Sequence, residues 1–183
     1  MSESVLAEES ELALLHLNSG QTEALFSLIE QNRAYLSHWL GWLQSIDELV
    51  DLLQFIDSAL LKMVQRRALQ CALRYQGQLV GMCGFQSFNP GKKQAQLGYW
   101  LAEPWQGAGI MSRACRLLLA HGFGPLGLER VVIVTAVDNA ASRALSERLG
   151  FRLEQFIPGG DRLGDQLIYA LSREQWVGQL RLR

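Results

Sequence analysis

Cysteine is scarce in this chain, and its three examples, Cys71, Cys83 and Cys115, contain no CxxC pair. An odd number of widely separated cysteines is not a disulfide framework, so reduced, buried thiols in a reducing cytoplasm are expected. A cysteine nucleophile is not. Histidine is as sparse, and His16, His38 and His121 do not cluster along the sequence, so no metal site is expected. Neither sign of charge dominates: 17 basic and 18 acidic residues leave a formal net charge of −1. With no basic stripe, nothing points to nucleic acid as a direct ligand. The longest apolar runs are short and broken by charge, so no membrane span is expected. Met1-Ser2-Glu3-Ser4-Val5-Leu6-Ala7-Glu8-Glu9 is acidic where a signal peptide is basic and then apolar. A cytoplasmic protein is the expectation.

What the chain does contain is core-forming material. Its 183 residues are 49% hydrophobic and 19% charged, the balance of one globular domain over 1–183 with a full core. Glu11 to Leu17 reads as a first strand. Asn18-Ser19-Gly20 then breaks the pattern, and Ser19 is placed to cap a helix over about 21–33. A second helix is predicted over about 47–66, with Leu49, Leu52, Leu53, Ile56, Leu60, Met63 and Val64 at helical spacing. From Ala68 the period becomes that of strands: 68–75, a turn at Gln76-Gly77-Gln78, 79–88, a turn at Asn89-Pro90-Gly91, and 92–101. A helix over about 109–123 follows. Val131 to Ala136 is a β-branched run without alternation, as in a strand covered on both faces. A short helix near 140–149 and strands near 151–157 and 165–171 complete an α/β chain without repeats.

The most informative segment is Trp105-Gln106-Gly107-Ala108-Gly109-Ile110-Met111-Ser112. It joins an aromatic strand to a helix start, where backbone N–H groups lack intrahelical partners and the helix dipole adds roughly half a positive charge. Such a turn suits a phosphate or pyrophosphate, and glycine lets the backbone approach the anion closely. A chain reversal without a ligand is the simpler alternative. A P-loop would need Lys after the glycines, and a dinucleotide fold a third glycine near 112, where Ser112 stands.

Four motifs in order carry a resemblance. Leu97-Gly98-Tyr99-Trp100-Leu101, Gln106-Gly107-Ala108-Gly109-Ile110-Met111, Asp138-Asn139-Ala140-Ala141-Ser142 and Leu149-Gly150-Phe151 together resemble the GNAT superfamily. Within it, the chain is similar to the RimJ/RimL type of ribosomal-protein N-terminal acetyltransferase, over roughly 80–171. The resemblance implies a GNAT fold: a mixed, mostly antiparallel seven-stranded sheet, splayed between its strands four (92–101) and five (131–136), flanked by four helices. It implies acetyl-coenzyme A as co-substrate and no metal. The pantetheine arm lies in the splay, held by the backbone of Tyr99, Trp100 and Leu101. N–H groups of Gln106, Gly107, Ala108, Gly109, Ile110, Met111 and Ser112 cradle the pyrophosphate. The family pattern (Gln/Arg)-x-x-Gly-x-(Gly/Ala) falls on Gln106, Gly109 and Met111, and Met111 departs from it while keeping its N–H. Asn139 matches the Asn whose side chain contacts the cofactor arm, and it is also an excellent helix N-cap.

Many family members carry a Tyr seven residues after that Asn to protonate the departing thiolate; here the position is Ser146. The RimJ/RimL type has a Ser three residues after it, here Ser142, which either donates to the sulfur or only stabilises the helix start. Base demand depends on the acceptor. A protein α-amine with pKa about 7.7–8.0 is partly neutral at pH 7, whereas a lysine at about 10.4 is almost wholly charged. Glu103, just past the strand, is the best placed carboxylate for a modest base, its alternative being a solvated loop charge. Tyr169 either borders the site or packs in the core. Tyr35, His38, Trp39 and Trp42 crowd the segment between the first two helices, which in this family walls the acceptor groove.

The function implied is direct acetyl transfer to a primary amine, most readily the α-amine of a ribosomal protein. The alternatives are acetylation of a small amine (polyamine, amino-acid derivative or antibiotic) or a non-catalytic acyl-coenzyme A sensor. Residues 31–46 contain no Asp or Glu, which disfavours a polyamine. No membrane partner is expected, and a homodimer is consistent with the family.

Overall fold

The computed structural model describes residues 4–161 and 164–181. Among them run eight strands and five α-helices, and the strands form one sheet in the order β1-β2-β3-β4-β5-β6-β8-β7. The chain divides into two compact units, Met1–Gly84 with Tyr99–Leu118, and Phe85–Gly98 with Leu119–Arg183. Among the described residues no helix is long and apolar enough to cross a membrane.

The first unit begins with an antiparallel hairpin of β1 (Val5–Glu9) and β2 (Leu12–His16), turned through Ser10 at φ 52°. β2 also pairs antiparallel with β3 (Leu69–Tyr75). Asn18, not Ser19, caps the next turn, its side chain accepting from Gly20 N–H at 2.9 Å. Helix α1 then runs over Thr22–Trp39, longer than the expected 21–33. No Gly or Pro interrupts it before Gly41, and Leu25, Ile29 and Leu36 keep one buried stripe going. Tyr35, His38 and Trp39 therefore lie on the last turns of α1, and only Trp42 falls in the short 3-10 turn that follows. Helix α2 (Leu49–Val64) buries Leu52, Ile56 and Ala59. At its start Asp51 accepts from the N–H groups of Glu48 and Asp47, at 2.8 and 3.0 Å. A hairpin through Gln76 and Gly77, both at positive φ, leads into β4 (Gln78–Asn89).

The second unit holds the first residues of β5 (Gln94–Leu101), then β6 (Arg130–Ala136), α4 (Ala140–Arg148), β7 (Arg152–Asp161), β8 (Gly164–Ser172) and α5 (Arg173–Leu180). β5 and β6 pair in parallel from Gln94↔Arg130 to Gln96↔Val132, and β6 pairs antiparallel with β8 along its whole length. The Arg130 guanidinium bonds Gln94 and Glu154, tying β5, β6 and β7 together. Helix α3 (Ile110–Phe123) spans both units.

The class and order of elements match the expected GNAT fold, with two corrections. The sheet has eight strands, not seven, because Val5–Glu9 pairs as an edge strand despite its acidic sequence. The helices number five, not four, because Arg173–Leu180 closes the chain. Its start is a Ser172/Gln175 reciprocal cap, and Trp176 stacks on Phe123 at 6.0 Å.

All three cysteines are free and buried in the first unit. Burial pushes the Cys71 thiol up to about 12 and those of Cys83 and Cys115 further still, so none is a thiolate nucleophile at neutral pH.

Candidate active site

In the first unit the expected cofactor residues follow one another from the end of β5 into α3. The backbone there is set by a close approach: a Cβ on Gly81 would lie 2.2 Å from the Trp100 carbonyl oxygen, so only glycine lets β4 and β5 sit this near. Ala102 N–H then donates to Val80 O at 2.9 Å, extending the contact past the strand end. Trp100, Leu101 and Ala102 are buried, while Tyr99 is half-buried. Beyond them Glu103–Trp105 make one 3-10 turn with Pro104 in its first positions. Glu103 N–H donates to Asn32 Oδ1 at 2.9 Å, and Asn32 in turn donates to Leu28 O at 2.8 Å. A buried polar residue of α1 thus fixes this turn. Trp105 packs edge-on against Tyr75 with ring centroids 5.8 Å apart. The Glu103 carboxylate itself is exposed.

The glycine turn follows. Gln106 donates through Nε2 to Leu101 O at 3.2 Å, folding the loop back on the strand end. Gly107 and Gly109 have φ of +79° and +75°, and nothing lies within 4 Å of where a Cβ would stand on either. Both glycines are required by backbone conformation, and the space in front of them is open. The first helical bond of α3 runs from Arg113 N–H to Gly109 O at 3.1 Å, so amides ahead of Arg113 have no intrahelical carbonyl to reach. Residues 106–109 are exposed, whereas Ile110, Met111 and Ser112 are buried. The departure at position 111 is thereby explained. Met111 turns its side chain into the protein, leaving the exposed face of the loop to backbone. Arg113 anchors the helix start to β1, donating to Glu9 O at 3.0 Å and pairing with its carboxylate at 3.5 Å.

In the second unit the end of β6 is pinned by Val137 N–H to Asp165 O at 3.0 Å. Arg143 reaches back to Val137 O at 3.1 Å. Asn139 caps α4, its Oδ1 accepting from Ser142 N–H at 3.0 Å. Ser142 is half-buried, one turn into the helix. Ser146, where many relatives carry the Tyr, is fully buried and donates its hydroxyl to Ser142 O at 2.9 Å. Its proton is committed to the helix. Tyr169 is also buried, with its hydroxyl on Glu147 Oε1 at 3.2 Å. That favours the packing role for Tyr169.

An open, exposed turn of two positive-φ glycines leading into a helix start is chemically fitted to a pyrophosphate. The acetyltransferase (GNAT) domain family matches residues 11–152 of this sequence. The chain is a GNAT acetyltransferase. It is 32% identical to YdaF of Bacillus subtilis over 89% of this chain and 92% of that protein. To the ribosomal-protein-serine acetyltransferase of Escherichia coli it is 30% identical, over 90% of this chain and 92% of that one. Among solved structures, that of RimL, the ribosomal L7/L12 α-N-protein acetyltransferase in complex with coenzyme A, superposes with a TM-score of 0.89 at 28% identity. The match covers 92% of this acetyltransferase and 98% of RimL. The co-substrate of this GNAT enzyme is acetyl-coenzyme A, and its reaction is N-acetylation.

Proposed function

We propose that this acetyltransferase modifies the α-amino group of a protein N-terminus, with a ribosomal protein as the natural acceptor. The observation that carries the reading is the aromatic, acid-free segment 31–46 in a chain whose relatives include a ribosomal-protein-serine acetyltransferase. His38 and Trp39 meet edge to face at 4.3 Å, and Trp42 stacks on Phe55 at 4.6 Å. Such surfaces grip a peptide backbone and its apolar side chains, and they offer no carboxylate to a polycation.

Acetyl-coenzyme A supplies the thioester whose carbonyl carbon the amine attacks. Backbone groups of Tyr99, Trp100 and Leu101 hold the pantetheine amides, and the N–H groups of 106–112 hold the pyrophosphate. Asn139 contacts the arm while capping α4. As the C–S bond breaks, Ser142 gives its hydroxyl proton to the departing sulfur and regains one, through water, from the nitrogen that has formed the new amide bond. Glu103, exposed beside the strand end, takes the ammonium proton directly or through water, a small demand for an α-amine. Residues 1–183 act as one catalytic domain, since the boundaries between units fall inside β4, β5 and α3 and not in linkers. The enzyme works in the cytoplasm, where ribosomal proteins are made.

The experiment is release of coenzyme A thiol measured against a panel of N-terminal peptides, polyamines and aminoglycosides. Turnover is expected with peptides bearing a free α-amine. Turnover of small amines alone contradicts the reading, and no turnover with tight acetyl-coenzyme A binding would make the chain a sensor.

A further inference from the structure

Asn32 interrupts the buried apolar stripe of α1, standing between Ile29 and Leu36 at helical spacing and only 8% exposed. Leucine would pack better there, and asparagine is a poor residue for a helix interior. Its side chain makes two bonds, Nδ2 to Leu28 O at 2.8 Å and Oδ1 from Glu103 N–H at 2.9 Å. The first is local to α1; the second joins α1 to the turn after β5. Glu103 opens that 3-10 turn behind Ala102, which has no side-chain oxygen to cap it, and Pro104 follows with no N–H. Asn32 is thus the cap of the turn, supplied by another element. The order passes on from there: Gln106 N–H donates to Glu103 O at 3.1 Å, and Gln106 Nε2 to Leu101 O at 3.2 Å. Gly107 and Gly109 follow, with nothing within 4 Å of their Cβ sites. Such a loop holds no shape by side-chain packing of its own, so its shape is set at its two ends. Arg113 on Glu9 ties the far end, and Asn32 ties the near one.

We infer that Asn32 is a positioning residue for the co-substrate, presetting through Glu103 and Gln106 the glycine turn that receives the pyrophosphate. The inference rests on the proposed pyrophosphate cradle and deepens it. An anion held by several backbone N–H groups needs them aimed together, and a loop ordered beforehand has less freedom to lose on binding. Asn32 acts on the turn, whereas β5 is held separately by its close approach to Gly81. Its removal should therefore weaken the pyrophosphate contact and spare the pantetheine arm.

The test is Asn32→Leu, which suits the apolar stripe and cannot accept a hydrogen bond. Titration with acetyl-coenzyme A is expected to show binding weakened about five- to tenfold, the worth of one hydrogen bond. At saturation, kcat should be unchanged with whichever amine the panel identifies. Binding of acetyl-pantetheine, which lacks the pyrophosphate, should be unaltered. Ile29→Ala, one turn earlier in the same buried stripe, should lower the melting temperature and leave acetyl-coenzyme A affinity as in the wild type. Unchanged affinity in Asn32→Leu, an equal loss with acetyl-pantetheine, or the same loss in Ile29→Ala overturns the inference. Should the leucine not be accommodated, Asn32→Ala is read by the same three outcomes. Failure of the cradle itself shows differently: the wild-type enzyme would then bind acetyl-pantetheine as tightly as acetyl-coenzyme A, whatever residue stands at 32.

Discussion

Replacing Gly109 by valine is expected to weaken acetyl-coenzyme A binding by about a hundredfold or more, measured by isothermal titration. Its φ of +75° is one that a β-branched residue adopts only at a cost of about 1–3 kcal/mol. The new side chain would meet nothing in the protein, since no atom lies within 4 Å of that Cβ. It would instead occupy the open face proposed to receive the pyrophosphate. The loop must then either hold its shape under strain with the face obstructed, or relax and take the amides off target. Each path loses the anion, and a hundredfold corresponds to about 2.7 kcal/mol. Gly127 supplies the control. Its φ is +63° and its Cβ site is equally open, but it lies in the turn after α3. Gly127→Val should lose comparable stability and no cofactor affinity; matching losses of affinity in both variants would refute the cradle.

Ser142→Ala is expected to lower kcat between about tenfold and a hundredfold, with acetyl-coenzyme A affinity unchanged. Proton transfer by a positioned side chain is typically worth about 10²–10⁴ in rate, and water can replace part of it. The variant separates chemistry from folding because the cap uses the Ser142 backbone N–H, bonded to Asn139 Oδ1 at 3.0 Å, not its hydroxyl. A merely structural Ser142 predicts full kcat. The penalty should also shrink with an acetyl thioester of lower thiol pKa, whose leaving group needs less protonation. An undiminished penalty would assign Ser142 some other task.

The sequence was most legible where chemistry and backbone demand the same residues. Gly107 and Gly109 are conformational necessities at φ +79° and +75°, so the turn that the glycine spacing marks is the turn that forms. Asn139 was equally plain, because a cap after a buried strand is a local event. Less was legible where stability comes from distant pairing. Val5–Glu9 holds an edge position through registers with Leu12 to Leu15 that its own acidic composition does not advertise. Arg173–Leu180 was missed although its Ser172/Gln175 cap stood in the sequence, because it buries little besides Trp176. Asn32 could not have been singled out. Its partner, the N–H of Glu103, is seventy-one residues away.

The central claim, acetyl transfer to a protein α-amine, is most directly tested on one peptide carrying both a free N-terminus and an internal lysine. Incubated with acetyl-coenzyme A at pH 7 and mapped by tandem mass spectrometry, it should gain a single acetyl group on the N-terminal nitrogen. An acetyl group found on the lysine, with the N-terminus left free, would contradict the account.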